Sequence, residues 1–232
     1  MLSENEIVRL ATELRIDRER IVREFYEMLL LNEIAQNSFS QWLVFKGGTA
    51  LRLAYQSPRF SDDLDFGMIQ PIIMDDFSQF ILKTASKYKL FVTDCHEKLA
   101  TILAEFKIST PTLPQPFHLK IEISKRPQLS GKTELKILFS PVCSLQILIP
   151  VLTMESMITE KIAAWNERQA SRDLFDLWFL SQKMNQSFDR IVSQLNITGV
   201  NRASLRSELN KYLPLNWRRV SDEMDQIIQS NQ

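Results

Sequence analysis

The sequence predicts an α+β fold in which a mixed β-sheet core follows N-terminal helices and precedes a helical C-terminal part. Three observations support this prediction. Apolar residues recur at helical spacing before residue 36, short segments within residues 91–152 alternate apolar and polar residues, and helical spacing returns after Thr153. The change at Thr153 predicts two parts, a core over residues 1–152 and a helical domain over residues 153–232.

The composition is that of an ordinary globular protein. The chain has 232 residues, of which 44% are hydrophobic and 24% charged, and this excludes a disordered or fibrous class. Its formal net charge of zero creates no global field that would draw it to nucleic acid or to a membrane. The two cysteines form no CxxC pair, and no stretch approaches the ~20 apolar residues of a membrane span. We therefore expect a cytoplasmic protein without a membrane partner.

The N-terminal half combines helices with two short strands. Residues 42–46 form an apolar run that stops at Gly47 and Gly48, which is typical of a buried strand before a turn. The next helix is predicted to begin at Thr49. The predicted elements are helices over residues 3–14 and 17–36, strands over residues 42–46 and 64–68, and a helix over residues 75–89.

The middle of the chain changes to the period of two that is typical of strands. The predicted strands cover residues 91–95, 99–108, 118–124, 135–139 and 145–152. Pro150 cannot donate a ladder hydrogen bond, so it places the last strand at an edge of the sheet or marks its end. The predicted C-terminal helices cover residues 154–170, 172–184, 188–195, 202–211 and 216–229.

The Gly47-Gly48-Thr49 segment has the residues that a phosphate-binding turn requires. Glycine lets the backbone approach a ligand closely, and a helix N-terminus offers unpaired N–H groups with a partial positive charge. Thr49 could cap the helix or bind a phosphate oxygen. The alternative interpretation is a tight strand-to-helix turn with a threonine cap.

Asp63 and Asp65 are candidate ligands of a metal ion. In an extended segment both side chains point to one face, while Asp62 points to the other and is left out of the site. Adjacent carboxylates raise each other's pKa unless a cation lies between them, and Mg²⁺ prefers such oxygen ligands together with substrate phosphates. The alternative interpretation is an acidic turn.

The two motifs together resemble a known family. GGT at residues 47–49 and DLD at residues 63–65, with 13 residues between them, resemble the signature of the polymerase β-like nucleotidyltransferase superfamily. FKGGTAL and RFSDDLDF are similar to the AbiEii/AbiGii toxin family of type IV toxin–antitoxin systems, as is ITEKIAAWNERQASRDLFDLWFL further on. The resemblance covers roughly residues 20–185. The matching residues are Arg59, Ser61, Asp63, Asp65, Lys161, Arg168, Arg172, Asp173 and Asp176.

The resemblance implies a nucleotidyltransferase-like fold and a toxin that transfers a nucleoside monophosphate from an NTP to an acceptor. It further implies one or two Mg²⁺ ions and RNA as the expected acceptor, which in some relatives is the acceptor end of tRNA. A separately encoded antitoxin is the implied partner. Two alternatives stay open. One is transfer to a protein hydroxyl or to a small molecule, and the other is a nucleotide-binding module without turnover.

The resemblance also implies a set of site residues. The catalytic residues are expected to be Asp63, Asp65, Glu122, Lys161 and Asp176. The phosphate-binding residues are expected to be Lys46, Gly47, Gly48, Thr49, Ser61, Lys161, Arg168 and Arg172. Glu122 is the candidate third metal ligand beside Asp63 and Asp65, because it shares one face of its strand with Lys120 and Ser124. Its alternative is a solvent-facing glutamate that pairs with Lys120 or Lys136.

Lys161, Arg168 and Arg172 would form a basic stripe on an unbroken helix, since they fall within about 40° of one another. If a new helix begins at Ser171, the stripe breaks there. Without the resemblance, Lys161 would be interpreted as a lysine with its stem along apolar surface. Asp176 could orient Lys161 or Arg172 through a charge-assisted hydrogen bond, or could be a structural partner alone.

Positive charge is concentrated in the middle of the chain. Residues 83–140 contain ten Lys or Arg and five Asp or Glu. This excess predicts either a solvated face or a surface that meets RNA phosphates.

Overall fold

The computed structural model describes residues 2–126, 132–198, 200 and 202–231. Its first half contains four helices and two strands within these residues. A capping box at Ser3 and Glu6 begins the first helix, and a short 3₁₀ helix, Ser38–Trp42, leads into the first strand. In chain order the elements are α1 (Glu4–Leu14), α2 (Arg18–Ala35), β1 (Leu43–Lys46), α3 (Gly47–Tyr55), β2 (Asp63–Met68) and α4 (Met74–Tyr88).

The second half contains the remaining strands, followed by helices. The strands are β3 (Phe91–Glu97), β4 (Thr101–Ile108), β5 (Phe117–Ser124), β6 (Thr133–Ser140) and β7 (Cys143–Leu152). The helices are α5 (Met154–Arg168), α6 (Ser171–Lys183), α7 (Phe188–Val192), α8 (Arg202–Leu209) and α9 (Arg219–Asn231), with a 3₁₀ turn at Leu215–Trp217. The order of elements agrees with the prediction, while several helix ends differ by a few residues.

The strands form one mixed sheet in the order β3-β4-β5-β2-β1-β7-β6. The pairs β2–β5 and β1–β7 are parallel, and the other neighbouring pairs are antiparallel. The predicted α+β class, with a mixed sheet between N-terminal and C-terminal helices, is therefore confirmed. This order brings β2 to the centre of the sheet, with β1 and β5 on either side of it.

The prediction that Pro150 places its strand at an edge is wrong. β7 lies between β1 and β6, and Pro150 is opposite Leu135 of β6. The sheet tolerates the missing N–H of Pro150 because the neighbouring strand β1 is only four residues long. The residue of β7 that pairs with β1 is Val151 and not Pro150. Position in the sheet depends on which strands pair, and the residues of β7 alone do not reveal that.

The apolar core includes side chains from both predicted parts of the chain. Phe45 and Phe66 on the neighbouring strands β1 and β2 are fully buried, with their ring centroids 5.1 Å apart. Trp165 and Phe175 of the C-terminal helices are also fully buried and belong to the same cluster. The division of the chain after residue 152 stays a prediction.

Within the described ranges, no helix combines the length and the apolar character needed to cross a bilayer.

Truncation of a core phenylalanine should destabilise the sheet. We expect Phe45→Ala to lower the free energy of unfolding by about 3–5 kcal/mol, because it removes a fully buried ring and leaves a cavity. Phe139 of β6 is the matched control, since 56% of it is exposed. Phe139→Ala should change stability by about 0.5 kcal/mol or less. Urea denaturation measures both, and equal effects would contradict this description of the core.

Candidate active site

The turn between β1 and α3 lies directly against the Asp65 carboxylate. Gly47 has a left-handed backbone with a φ of +78°, and a Cβ placed on it would collide with the carboxylate oxygen Oδ2 of Asp65. Lys46, the N-cap residue of α3, is paired with Asp65 in the β1–β2 register. The glycine turn and the aspartate strand, far apart in sequence, therefore meet at one place.

Gly48 is in close contact with the loop before β2. A Cβ on Gly48 would overlap the Arg59 guanidinium and would lie 2.7 Å from the Ser61 hydroxyl oxygen. The loop that carries Arg59 and Ser61 thus covers the first turn of α3. Neither glycine has room for a side chain, which explains why two glycines stand side by side here.

Thr49 makes a contact that differs from the predicted one. Its side chain is buried, and its hydroxyl donates a hydrogen bond of 2.5 Å to the backbone carbonyl of Asp63. This bond ties α3 to the start of β2. Because the hydroxyl proton of Thr49 is used within the protein, phosphate binding at this turn would depend on backbone N–H groups and on Lys46.

Three predicted carboxylates share one face of the central strands. Asp65 of β2 is paired with Glu122 of β5, and Asp63 is paired with Lys120 one step earlier in the same register. Directly paired residues of neighbouring strands project to the same face of a sheet. Asp62 was expected to point to the opposite face of the strand. It forms ion pairs with Arg20 and Arg23, outside the face of the three carboxylates.

The solvent-facing alternative for Glu122 does not match the ion pairs of the two lysines. Lys120 lies 3.9 Å from Glu105, and Lys136 lies 3.1 Å from Glu134. Glu122 instead lines a cleft together with Asp65.

The environment of the aspartates disfavours their charged form. Burial raises the pKa of Asp65, and the neighbouring Glu122 adds to this effect, while Lys161 and Lys46 oppose it. Burial and the Asp65 charge likewise raise the pKa of Asp63. A cation bound between such carboxylates would relieve both the desolvation and the repulsion.

Over the described parts of the chain, no three or more His, Cys, Asp and Glu side chains are grouped so that they could hold an ion. Asp63, Asp65 and Glu122 share a face without converging on one point. Their chemistry nevertheless suits a hard cation, because all three offer carboxylate oxygens and two of them have a raised pKa.

A buried network of charges joins the loop before β2 to α5 and α6. Arg59 donates two hydrogen bonds to Asp176, of 2.7 and 2.8 Å, and Asp176 lies 2.6 Å from the ammonium of Lys161. Lys161 also donates to Asp173 at 2.9 Å, and Arg168 donates two hydrogen bonds to that same carboxylate. Burial disfavours the charge of Lys161, but Asp176 and Asp173 outweigh it and raise its pKa.

The network determines what Asp176 can do. Its side chain is fully buried, so it offers no exposed atom to a substrate. It contacts Lys161 instead, which agrees with one of the roles left open by the sequence. Lys161 itself is 10% exposed at the side chain and lines the cleft, so its ammonium can approach a ligand while two carboxylates hold it.

The predicted basic stripe is broken. α5 ends at Arg168 and α6 begins at Ser171, so Arg172 belongs to the next helix. Lys161 and Arg168 still meet, because both contact Asp173. The charge of Arg172 lies near β2, where it opposes the rise in the pKa of Asp63 and of Asp65.

The cleft brings together part of the predicted site. It has a volume of about 390 Å³ and opens beside the ends of β1, β2 and β5 under α5. Its lining includes Lys46, Gly47, Asp65, Glu122, Lys161 and Arg168 from the predicted set. The predicted residues Gly48, Thr49, Ser61, Asp63, Arg172 and Asp176 are not among the residues that line it.

Two residues near the site were missed by sequence reasoning. Glu160 forms an ion pair with Lys46 inside the cleft, and Tyr212 holds the loop before β2. The carbonyl of Tyr212 accepts a 2.9 Å hydrogen bond from the Phe60 N–H, and Arg20 lies 4.5 Å above its ring. For Glu160, the sequence offers one signal, its position next to Lys161. For Tyr212 it offers none, because the tail around this residue carries no recognisable motif.

Several members of the basic segment form surface ion pairs. Lys87 pairs with Glu33 and Lys125 with Glu97, each at 2.7 Å. These pairs agree with a solvated face. Arg126, in contrast, lines the cleft and is exposed.

Comparison with solved structures identifies the class of this fold. Two crystal structures from Helicobacter pylori superpose on the chain with a TM-score of 0.58 each. One is JHP933, with 23% identity and 93% of this chain and 94% of that chain covered. The other is a proposed nucleotidyltransferase, with 22% identity and coverage of 93% and 97%. A search of curated proteins found no match.

The family follows from the sequence match. A family model described as "Nucleotidyl transferase AbiEii toxin, Type IV TA system" matches residues 29–227. The chain therefore belongs to the AbiEii nucleotidyltransferase toxins and is an enzyme that transfers phosphorus-containing groups. The resemblance stated from the motifs is confirmed, and the match extends past residue 185 into the C-terminal tail.

A side chain at position 47 should disrupt the turn. We expect Gly47→Ala to lower the free energy of unfolding by about 1–2 kcal/mol, from the left-handed φ alone, and to displace Asp65. Gly47→Asn separates the two causes, because asparagine tolerates a positive φ but also carries a Cβ. Thermal denaturation should show only a partial rescue by asparagine, because its Cβ still meets the Asp65 carboxylate. Full rescue would show that contact with Asp65 is unimportant.

The buried network should make stability dependent on acid. Burial raises the pKa of Asp173, but Lys161 and Arg168 outweigh it and lower the pKa from 3.8 to about 2. A lowered folded-state pKa stabilises the protein above the unfolded value, and this contribution is lost as the pH falls through the folded value. We expect a loss of about 2 kcal/mol between about pH 5 and pH 2.

Asp173→Asn should lack this part of the pH dependence, as measured by urea denaturation at several pH values. Glu13→Gln is the control, because Glu13 forms an exposed surface pair with Arg9 that contributes little. An unchanged acid dependence in Asp173→Asn would contradict the assignment.

Proposed function

We propose that this enzyme is an Mg²⁺-dependent nucleotidyltransferase that transfers a nucleoside monophosphate from an NTP to RNA, with tRNA as the acceptor. The observation that carries the proposal is the contact of Gly47 with Asp65, which brings a helix N-terminus and a carboxylate strand into one cleft. Family membership supports nucleotidyl transfer by a toxin. We further propose the cytoplasm as its location and a separately encoded antitoxin as its partner.

The cleft residues divide the work of holding the nucleotide. The N–H groups at the start of α3 and the ammonium of Lys46 would bind the phosphates. Lys161 would stabilise the negative charge of the departing pyrophosphate, because it is held as a cation by Asp173 and Asp176. Asp65 and Glu122, the paired carboxylates that line the cleft, would hold the magnesium together with substrate phosphates, and Asp63 would be a further carboxylate on the same face. When bound, the ion neutralises charge on the phosphates.

The transfer forms a bond between the acceptor oxygen and the α-phosphorus and breaks the bond from that phosphorus to the β-phosphate oxygen. The acceptor hydroxyl proton would pass to Glu122, which is paired with Asp65 and lines the cleft. Arg126 at the cleft rim would contact acceptor phosphate. A protein hydroxyl or a small molecule is the alternative acceptor.

Nucleotide transfer with four labelled NTPs, in Mg²⁺, tests the proposal. Each NTP is incubated with the enzyme and tRNA, and in parallel with total cell protein. We expect label in tRNA with one or more NTPs, and a loss of at least about 10²-fold in Asp65→Asn. Asp62→Asn is the control, because Asp62 faces away from the cleft and should retain transfer.

The outcomes separate the alternatives. Label found only in protein would defeat the RNA assignment and favour a protein hydroxyl. Undiminished transfer by Asp65→Asn would remove Asp65 from the site. Folding of each variant is checked by thermal denaturation.

A further inference from the structure

The ion pair between Lys46 and Glu160 lies inside the proposed nucleotide cleft. Lys46 is at the end of β1, and Glu160 is on α5, 114 residues further along the chain. The ammonium donates to both carboxylate oxygens at 3.0 Å. Both side chains line the cleft, so the negative charge of Glu160 lies where Lys46 is proposed to meet phosphate.

The partners of the cleft cations differ in their freedom to move. Lys161 and Arg168 are paired with carboxylates that are fully buried and held by several hydrogen bonds. Glu160 retains 32% exposure of its side chain. A partly exposed glutamate can turn into water at little cost, whereas a buried carboxylate would lose its partners. The pair of Lys46 and Glu160 is therefore the one that a ligand can open.

We propose that Glu160 is the internal counterion of Lys46, and that the triphosphate of the incoming NTP displaces it. This inference rests on the proposed function, since it specifies how the same cleft receives its nucleotide. A triphosphate carries more negative charge than one carboxylate, so the exchange favours the nucleotide. Before the nucleotide binds, Glu160 neutralises Lys46 and holds its ammonium in the cleft.

Competition of this kind lowers the apparent affinity for the nucleotide. Opening the pair subtracts its interaction energy from the binding energy of the NTP. Ion pairs with partial exposure are worth up to about 1 kcal/mol, which corresponds to about a fivefold change in affinity. Glu160 is thus a residue that acts through Lys46 and sets nucleotide affinity without contacting the reacting atoms.

The test compares nucleotide binding by five proteins in Mg²⁺: the wild type, Glu160→Gln, Glu167→Gln, Lys46→Met and the double variant Lys46→Met/Glu160→Gln. Glu167 is the matched control, since it lines the same cleft two turns further along α5. Titration calorimetry with each NTP gives the Kd, and transfer assays give KM and kcat. The single variant Lys46→Met completes the cycle.

We expect Glu160→Gln to bind NTP about two- to fivefold more tightly than the wild type. Its KM should fall in proportion, while kcat should stay within about twofold, since the pair is broken equally in the ground state and the transition state. Glu167→Gln should show a smaller gain. In the Lys46→Met background, Glu160→Gln should bring no gain, because the counterion then has no lysine to neutralise.

Several outcomes would overturn the inference. Weaker binding by Glu160→Gln would show that the glutamate supports Lys46 rather than competing with phosphate. An equal gain in Glu167→Gln, or a gain that persists without Lys46, would reduce the effect to the general charge of the cleft. A wild-type protein that binds no NTP would overturn both this inference and the proposed function. If the wild type binds and transfers the nucleotide but the Kd of Glu160→Gln is unchanged, the inference alone is overturned.

Discussion

The neutralisation of two buried carboxylates is the interaction on which the rest of the site depends. Asp173 and Asp176 are fully removed from water, and an isolated charge in that environment is very unfavourable. Three cations compensate them, and these cations come from different parts of the chain: Arg59 from the loop before β2, and Lys161 and Arg168 from α5. Removing Asp176, for example, would leave the fully buried Arg59 guanidinium without its carboxylate partner. The network therefore holds the loop and both helices at defined separations.

The position of that loop explains the glycines at the start of α3. Arg59 reaches Asp176 by passing over Gly48, and the same guanidinium fills the space that a Cβ at Gly48 would occupy. Gly47 in turn accommodates the Asp65 carboxylate. The hydrogen bond from the Phe60 N–H to the Tyr212 carbonyl secures the other side of the loop. The first turn of α3, the strand with the aspartates and the lysine of α5 are consequently arranged around one cleft, which is the arrangement that nucleotide transfer requires.

Most elements of the fold could be predicted from the sequence, because burial of one face imposes a local period on each helix and strand. Other features depend on partners that local residues do not reveal. Pro150 suggested an edge strand, yet β1 and β6 flank β7. Thr49 had the chemistry of a phosphate ligand, yet its hydroxyl is bonded to the Asp63 carbonyl. The motif around Lys161 was recognisable, whereas the pairing of Lys46 with Glu160 across 114 residues was not.

The sequence by itself determined the fold class, the order of elements, the family and the candidate residues, because periodicity and short motifs are properties of neighbouring residues. Only the tertiary structure decided which candidates line the cleft and which support it from behind. Asp176 and Lys161 belong to the same motif, yet one is fully buried and the other borders the cleft. The physical reason is that strand register and helix packing decide which side chains reach water and which opposite charges meet, and both depend on contacts between distant segments.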